Sequence, residues 1–454
     1  MTSTPLAPGE GFVAAPLIAQ LPRPRPRVDG KVSRMVGVVI EAYGRGSSIG
    51  GICDIYTRDG SSCIAAEVVG FKENRVLLMP LGDLRGVGPG SRVVARSPQA
   101  GVAVGERLLG RAIDALGRPI DEHGSLDTEI TYPLYAAPPS ALQRTPIDEP
   151  LDLGVRAING LLTVGRGQRI GILAGSGVGK STLLGMMARY TRADVNVIAL
   201  IGERGREVRE FIERDLGPSG LARSVVVVVT SDQSPLERTR GAFVACAIAE
   251  YFRDQGNDVL LMMDSVTRFA VAQREIGLAI GEPPTTRGYP PSVFSLLPKI
   301  TERAGTCAGR GSITGIYTVL VEGDDLNEPI ADHMRGILDG HIVLSRELAA
   351  RQQFPAIDVP ASVSRLVAQL TTQHQRRLVA AFIGCLADYA RAEDLINIGA
   401  YTRGNNPNVD KAVERITAVR SYLQQGVAQP YRLEDSFEQL QRIFPEITPT
   451  EGEA

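Results

Sequence analysis

Lys180, Ser181 and Thr182 directly follow the run Ala174-Gly-Ser-Gly-Val-Gly179, and that order is the order of a phosphate site. Gly175, Gly177 and Gly179 let the backbone N–H groups of Ser176, Val178 and their neighbours turn inward around an anion. The helix that Lys180 opens presents its positive end there, and the lysine adds a full charge. The Ser181 hydroxyl is placed to ligate Mg²⁺. The strict pattern has glycine where this chain has Ala174, and the three later glycines keep the loop free.

A phosphate loop binds a nucleotide, but hydrolysis needs more: a carboxylate for magnesium, a group that orients water, and extra positive charge. Val259-Leu-Leu-Met-Met-Asp264 ends an apolar run in an acid. Alone, Asp264 reads equally well as a strand-end cap; with the loop upstream, the magnesium role is favoured. Gly202-Glu-Arg-Gly-Arg-Glu207 follows the next apolar run. There Glu203 is a candidate water-orienting base, and Glu207 a candidate holder of a magnesium-bound water. By composition, the same residues fit better as an acidic first helical turn with Glu–Arg pairs. Arg268 lies one helical turn beyond Asp264 and reads either as a phosphate contact or as half of a surface ion pair. By residue type alone, Phe354 reads as core and Arg365 as surface.

Six continuous apolar runs carry these groups: Ile170–Leu173, Val197–Ile201, Val225–Val229, Val259–Met263, Ile316–Val321 and His341–Leu344. Helical stretches separate them, among them Arg206–Leu216, Glu237–Asp254 and Pro329–Leu338. Strands apolar on both faces and joined by helices imply an α/β core with a mostly parallel, covered sheet. Before it, residues 28–97 read as a small β domain, a barrel or compact sandwich, with a tight hairpin at Asp59-Gly60. After about residue 370, the stretches 373–392, 408–424 and 433–443 are amphipathic and strand-poor, which predicts a helical domain. The sequence thus divides as 1–27 tail and linker, 28–97 β domain, 98–370 nucleotide-binding domain and 371–454 helical domain. Within the tail, Phe12, Val13, Leu17, Ile18 and Leu21 hint at a short amphipathic helix, and Leu21-Pro-Arg-Pro-Arg-Pro-Arg27 reads as an extended linker.

Composition narrows the function classes. The 454 residues carry 49 basic against 51 acidic side chains, so no global field favours nucleic acid or anionic lipid. Five scattered cysteines without CxxC spacing argue against zinc and a disulfide framework. No apolar run approaches the ~18 residues of a membrane span, and the N-terminus lacks the pattern of a signal peptide. A cytosolic protein is expected. A hexameric RNA translocase would need exposed aromatics and a basic face on the β domain. Residues 28–97 offer only Tyr43, Tyr56 and Phe71 with balanced charge, so no nucleic-acid partner is expected.

These pieces in this order resemble the hexameric rotary-type ATPases related to the ATP synthase subunits, and among them the flagellar protein-export ATPases and type III secretion ATPases. The resemblance rests on Val104–Asp121, Ala174–Ser181, Gly202–Glu207, Met263–Arg268, Gly281–Phe294 and Phe354–Arg365. Within these, Gly288-Tyr-Pro-Pro-Ser-Val-Phe294, together with Asp339–Arg346, resembles the export branch in particular. The resemblance implies a RecA-like P-loop core, preceded by a β-barrel and followed by a helical domain, with ATP and Mg²⁺ bound at residues 175–182. It implies that Lys180 binds the β/γ-phosphates, that Ser181 and Asp264 hold magnesium, and that Glu203 polarises the attacking water. Arg204 and Arg268 would contact phosphate from the same subunit, Phe354 would stack on adenine, and Arg365 would be an arginine finger in a neighbour's site. The implied function is ATP hydrolysis energising export of flagellar axial proteins, with an injectisome ATPase as the nearest alternative. Implied partners are five further copies in a homohexamer, a regulator or stator at the N-terminus, a stalk-like coiled coil in the central hole, substrate–chaperone complexes and membrane export-gate proteins. The implied location is the cytoplasm, peripherally at the inner membrane. The Gly281–Pro291 loop is placed near the central channel by the resemblance alone.

Overall fold

The computed structural model describes residues 29–44, 48–128 and 130–449. The expected amphipathic helix and linker of the tail lie outside the described residues. The first six strands, β1 (Asp29–Val36), β2 (Val39–Tyr43), β3 (Ile52–Tyr56), β4 (Cys63–Lys72), β5 (Arg75–Pro80) and β6 (Arg92–Ser97), close into a barrel in the order β1-β2-β5-β4-β3-β6. Closure removes both sheet edges, and it settles the β domain as a barrel rather than a sandwich. Ile40, Ile55, Ala66 and Leu78 fill the interior.

Beyond a two-stranded ribbon of β7 (Gly101–Val104) and β9 (Ile130–Pro133), the chain builds an eight-stranded sheet. Its members are β8 (Arg111–Ile113), β10 (Arg169–Ala174), β11 (Val195–Glu203), β12 (Ser224–Thr230), β13 (Val259–Asp264), β14 (Ile313–Leu320), β15 (Gly340–Leu344) and β16 (Ile357–Ser364). The order is β16-β15-β10-β14-β13-β11-β12-β8, parallel throughout except for the antiparallel edge strand β16. All six apolar runs are strands of this sheet. Val225–Val229 and Leu260–Met263 are almost wholly buried because helices cover both faces. Two strands went unread: β8 is only three residues long, and β16 contains Pro360 and alternates in burial, as an edge strand does.

The helix expected at Arg206–Leu216 forms with a change of pitch, an α-helix over Gly205–Glu210 running into a π-helical turn over Phe211–Leu216. The helices Gln373–Asn397, Pro407–Leu423 and Leu433–Ile443 make the C-terminal domain. Its Phe382, Tyr422, Leu440 and Phe444 continue the hydrophobic core that runs beneath β10 and the first helix after it.

Candidate nucleotide site

β10 ends at Ala174, which is paired on both sides, to Leu320 of β14 and to Leu344 of β15. The absent first glycine is therefore tolerated: this position is a strand residue and needs no left-handed backbone. Gly177 and Gly179 do need it, with φ of 78° and 89°. Gly179 then caps the helix Lys180–Tyr190, so the helix N-terminus opens directly onto the loop.

Three strand ends bring the reactive groups together. Lys180 Nζ donates to Asp264 Oδ1 at the end of β13 and stands 3.8 Å from Glu203 Oε1 at the end of β11. Asp264 is almost fully buried and accepts a second hydrogen bond from Thr318 Oγ1 at 2.7 Å. Thr318 was missed from sequence; its signal is one of three hydroxyls in a buried strand, and a buried hydroxyl calls for a partner. Glu203 makes no closer ion pair than this 3.8 Å approach of the lysine among the described residues. Burial first, then the negative charge of Asp264, raise its carboxyl from the ordinary 4.5 to about 7, against the opposing pull of Lys180 and Arg268.

Arg268 sits in the first turn after Asp264, where its N–H donates to the helix-capping Ser265 Oγ at 3.3 Å. Its side chain lies across Gly202, the residue before Glu203; a methyl on Gly202 would come within 2.9 Å of it. Glu207 lies close enough to Glu203 to add to the rise of its carboxyl, and it accepts from Arg204 Nη1 at 3.3 Å. Arg204 itself is three-quarters exposed and stands at the rim rather than inside.

Phe354 is not core. The residue is 40% exposed and its ring lies about 3.5 Å from where a methyl on Gly179 would be, so it forms a wall beside the phosphate loop. Gln425, just past the helix Pro407–Leu423, holds this wall by donating its N–H to the Phe354 carbonyl at 2.9 Å. The C-terminal domain thus fixes the aromatic face that borders the loop.

Arg365 lies elsewhere. Leu344, beside Ala174 at the phosphate-loop end, pairs with Ile357, whereas Gly340 pairs with Ser364. The four intervening steps of strand put Arg365 about 13 Å toward the opposite end of the sheet. There its N–H meets the Asp339 carbonyl and its guanidinium the Arg335 carbonyl, each at 3.0 Å.

No cluster of three or more His, Cys, Asp or Glu side chains suited to a metal occurs among the described residues. Magnesium bound chiefly through nucleotide phosphates needs no such cage: one strand-end carboxylate and one hydroxyl suffice. Asp264 and the exposed Ser181 supply that pair of donor types.

A glycine loop on a parallel sheet, a helix N-terminus aimed at it, and a lysine–aspartate–glutamate set at the carboxyl edge define a P-loop nucleotide hydrolase. Residues 32–96 match the β-barrel domain and 154–364 the nucleotide-binding domain of the ATP synthase alpha/beta family; residues 371–442 match the T3SS EscN ATPase C-terminal domain. The chain is 55% identical over 410 residues to the flagellum-specific ATP synthase of Bacillus subtilis, covering 90% of this chain and 93% of that one. It is 53% identical over 434 residues to the Salmonella typhimurium protein of the same name, covering 93% and 95%. It is also 51% identical over 414 residues to the type 3 secretion system ATPase of Xanthomonas euvesicatoria, covering 91% and 93%. Among solved structures, the assembled ATPase EscN from the enteropathogenic E. coli type III secretion system superposes with a TM-score of 0.86 at 48% identity, covering 91% of this chain and 99% of that one. EscN in complex with its central stalk EscO gives 0.84 at 47% identity, with the same coverage. The chain belongs to the family of flagellum-specific ATP synthases and type 3 secretion ATPases, and it is an ATPase. No helix among the described residues is long and apolar enough to cross a membrane.

Proposed function

We propose that this protein hydrolyses ATP to energise export of flagellar axial proteins through a type III apparatus, working as a ring of six copies whose catalytic pockets are shared between neighbours. The observation that carries the shared pocket is the position of Arg365. Its backbone sits at the end of the sheet away from its own phosphate loop, so Arg365 is placed to serve a neighbour's pocket rather than its own. Both the Glu203 set and Arg365 reside in one chain, so identical copies suffice for a ring of competent sites.

Within a pocket, an incoming triphosphate displaces Asp264 as the partner of Lys180, which turns to the β/γ oxygens. Asp264, released from the lysine and oriented by Thr318, and Ser181 are the residues that would hold Mg²⁺, which would offset phosphate charge. Glu203 accepts a hydrogen bond from the attacking water; a carboxyl raised to about 7 is matched to proton transfer near neutral pH. Arg268 adds charge beside Glu203, Glu207 steadies the water shell, and Arg204 at the rim reaches phosphate only after the pocket closes. Phe354 stacks on the base.

Support for the export role comes from the relatives, which include both flagellar and type 3 secretion ATPases. Inner-membrane association and contacts with a stator, a stalk-like coiled coil, an export gate and substrate–chaperone complexes belong to the same proposal. Deletion in the native host decides the branch. Loss of filaments and motility supports the flagellar reading; intact flagella with lost effector secretion would replace it with the injectisome one.

A further inference from the structure

Gly175, unlike Gly177 and Gly179, does not have a positive φ. A methyl group there would come 2.8 Å from Asp324 Oδ1 and 2.9 Å from Arg346 Nη2. These two side chains pair with each other at 3.5 Å and occupy the space that a side chain at Gly175, at the base of the phosphate loop, would need. Arg346 opens the short helix after β15, and Asp324 lies in the loop after β14. The start of that loop is already tied to the site, because the Val321 N–H donates to the Ala174 carbonyl at 3.0 Å.

The next residue points the other way. Asp325 Oδ2 accepts from Arg287 Nη2 at 3.2 Å, and Arg287 belongs to the irregular, proline-rich loop over 281–291. Five residues other than glycine have positive φ among the described ones, and two of them are Arg287 (47°) and Asp324 (59°). Backbone strain of this kind persists where surrounding contacts impose it, and it gathers at functional segments. All four charged side chains are roughly half exposed, so their pairing contributes little to folding. What the arrangement does instead is link two loops through two adjacent aspartates.

We propose that Asp324 and Arg346 are positioning residues for the phosphate loop, and that together with Asp325 and Arg287 they form a two-ended strut through which the 281–291 loop sets nucleotide affinity. When Arg287 moves, Asp325 follows, Asp324 shifts against Arg346, and the packing beside Gly175 changes. The strut rests on the nucleotide occupying residues 175–182. Binding by the unaltered chain tests that premise separately.

The test is a double-mutant cycle in the full chain, reading KM for ATP, kcat and equilibrium binding of a fluorescent ATP analogue. Arg287→Ala and Arg346→Ala are each expected to shift KM and analogue affinity by about three- to tenfold while kcat changes less than about twofold. The double variant should shift them no further than the larger single one. The exchange Arg287→Asp with Asp325→Arg should restore the unaltered KM, which a merely local packing role would not do. Effects that multiply in the double variant, an exchange that restores nothing, or a KM unmoved by either single change would overturn the strut. Loss of analogue binding by the unaltered chain would instead remove the premise.

Discussion

Two buried charge clusters, one at the barrel junction and one at the nucleotide edge, are built to opposite rules. At the junction, Glu67 of β4 meets Arg240 Nη1 at 2.9 Å and the Tyr135 hydroxyl, while Arg240 also donates from Nε to the Ala115 carbonyl at 3.0 Å and from Nη2 to the Gly101 carbonyl at 3.4 Å. Donors and acceptors there are spent on each other. At the nucleotide edge, Asp264 has its lysine, but Glu203 stands 3.8 Å from that same lysine and carries a carboxyl raised to about 7. A satisfied buried network fixes a structure; a charge left short of partners waits for a ligand. The two clusters are joined through the helix Pro235–Asp254, which carries Arg240 and follows the loop where the Ser231 N–H donates to the Glu203 carbonyl at 3.0 Å. The settled cluster thereby helps to hold the unsettled one in place.

The comparison breaks most visibly at Glu203. Glu203→Gln should lower kcat by about a hundredfold or more, the usual scale for a lost general base, with ATP still bound. Turnover that survives the change would move Glu203 to the settled class. At the junction the loss should appear in stability instead. Arg240→Ala, which leaves Glu67 buried without its cation, should cost about 3–5 kcal/mol in chemical denaturation. The pair Glu67→Leu with Arg240→Met should recover much of that cost, because it strands no charge. If Arg240→Ala melts like the unaltered chain, the junction is not the fixed element described.

A smaller effect is expected at the aromatic wall. Phe354→Ala should raise KM for ATP several-fold, in line with about 0.5–1.5 kcal/mol for a stacked ring, and leave thermal stability nearly unchanged. Phe354→Tyr should restore KM.

The smallest effect sharpens the contrast through pH. A carboxyl raised on folding adds stability that is complete below its ordinary 4.5 and is lost as pH rises through about 7. In nucleotide-free protein the melting temperature should therefore fall between pH 5 and 8 by more in the unaltered chain than in Glu203→Gln. Parallel curves would mean that Glu203 is not perturbed.

How much of this was legible in the sequence depended on how local each signal was. The phosphate loop is contiguous, so strand, glycines and helix announce each other within a dozen residues. Asp264 and Glu203 could be named because each ends a long apolar run, the place where a parallel sheet offers residues to a ligand. Phe354 misled as core by residue type, since an isolated aromatic carries no mark of standing beside Gly179, 175 residues earlier in the chain. Thr318 hid for the same reason: its partner lies on the neighbouring strand. β8 and β16 join the sheet through hydrogen bonds that no short-range pattern foretells. The opposing placement of Arg365 became visible only with the β15–β16 register in hand.

The shared pocket is tested most directly by mixing two inactive variants, Glu203→Gln and Arg365→Ala. In randomly mixed rings, a protomer with intact Glu203 faces a neighbour with intact Arg365 at some interfaces, so a 1:1 mixture should regain about a quarter of the unaltered ATPase activity. A mixture as inactive as its two components, under conditions where the unaltered chain assembles and hydrolyses ATP, would contradict the account.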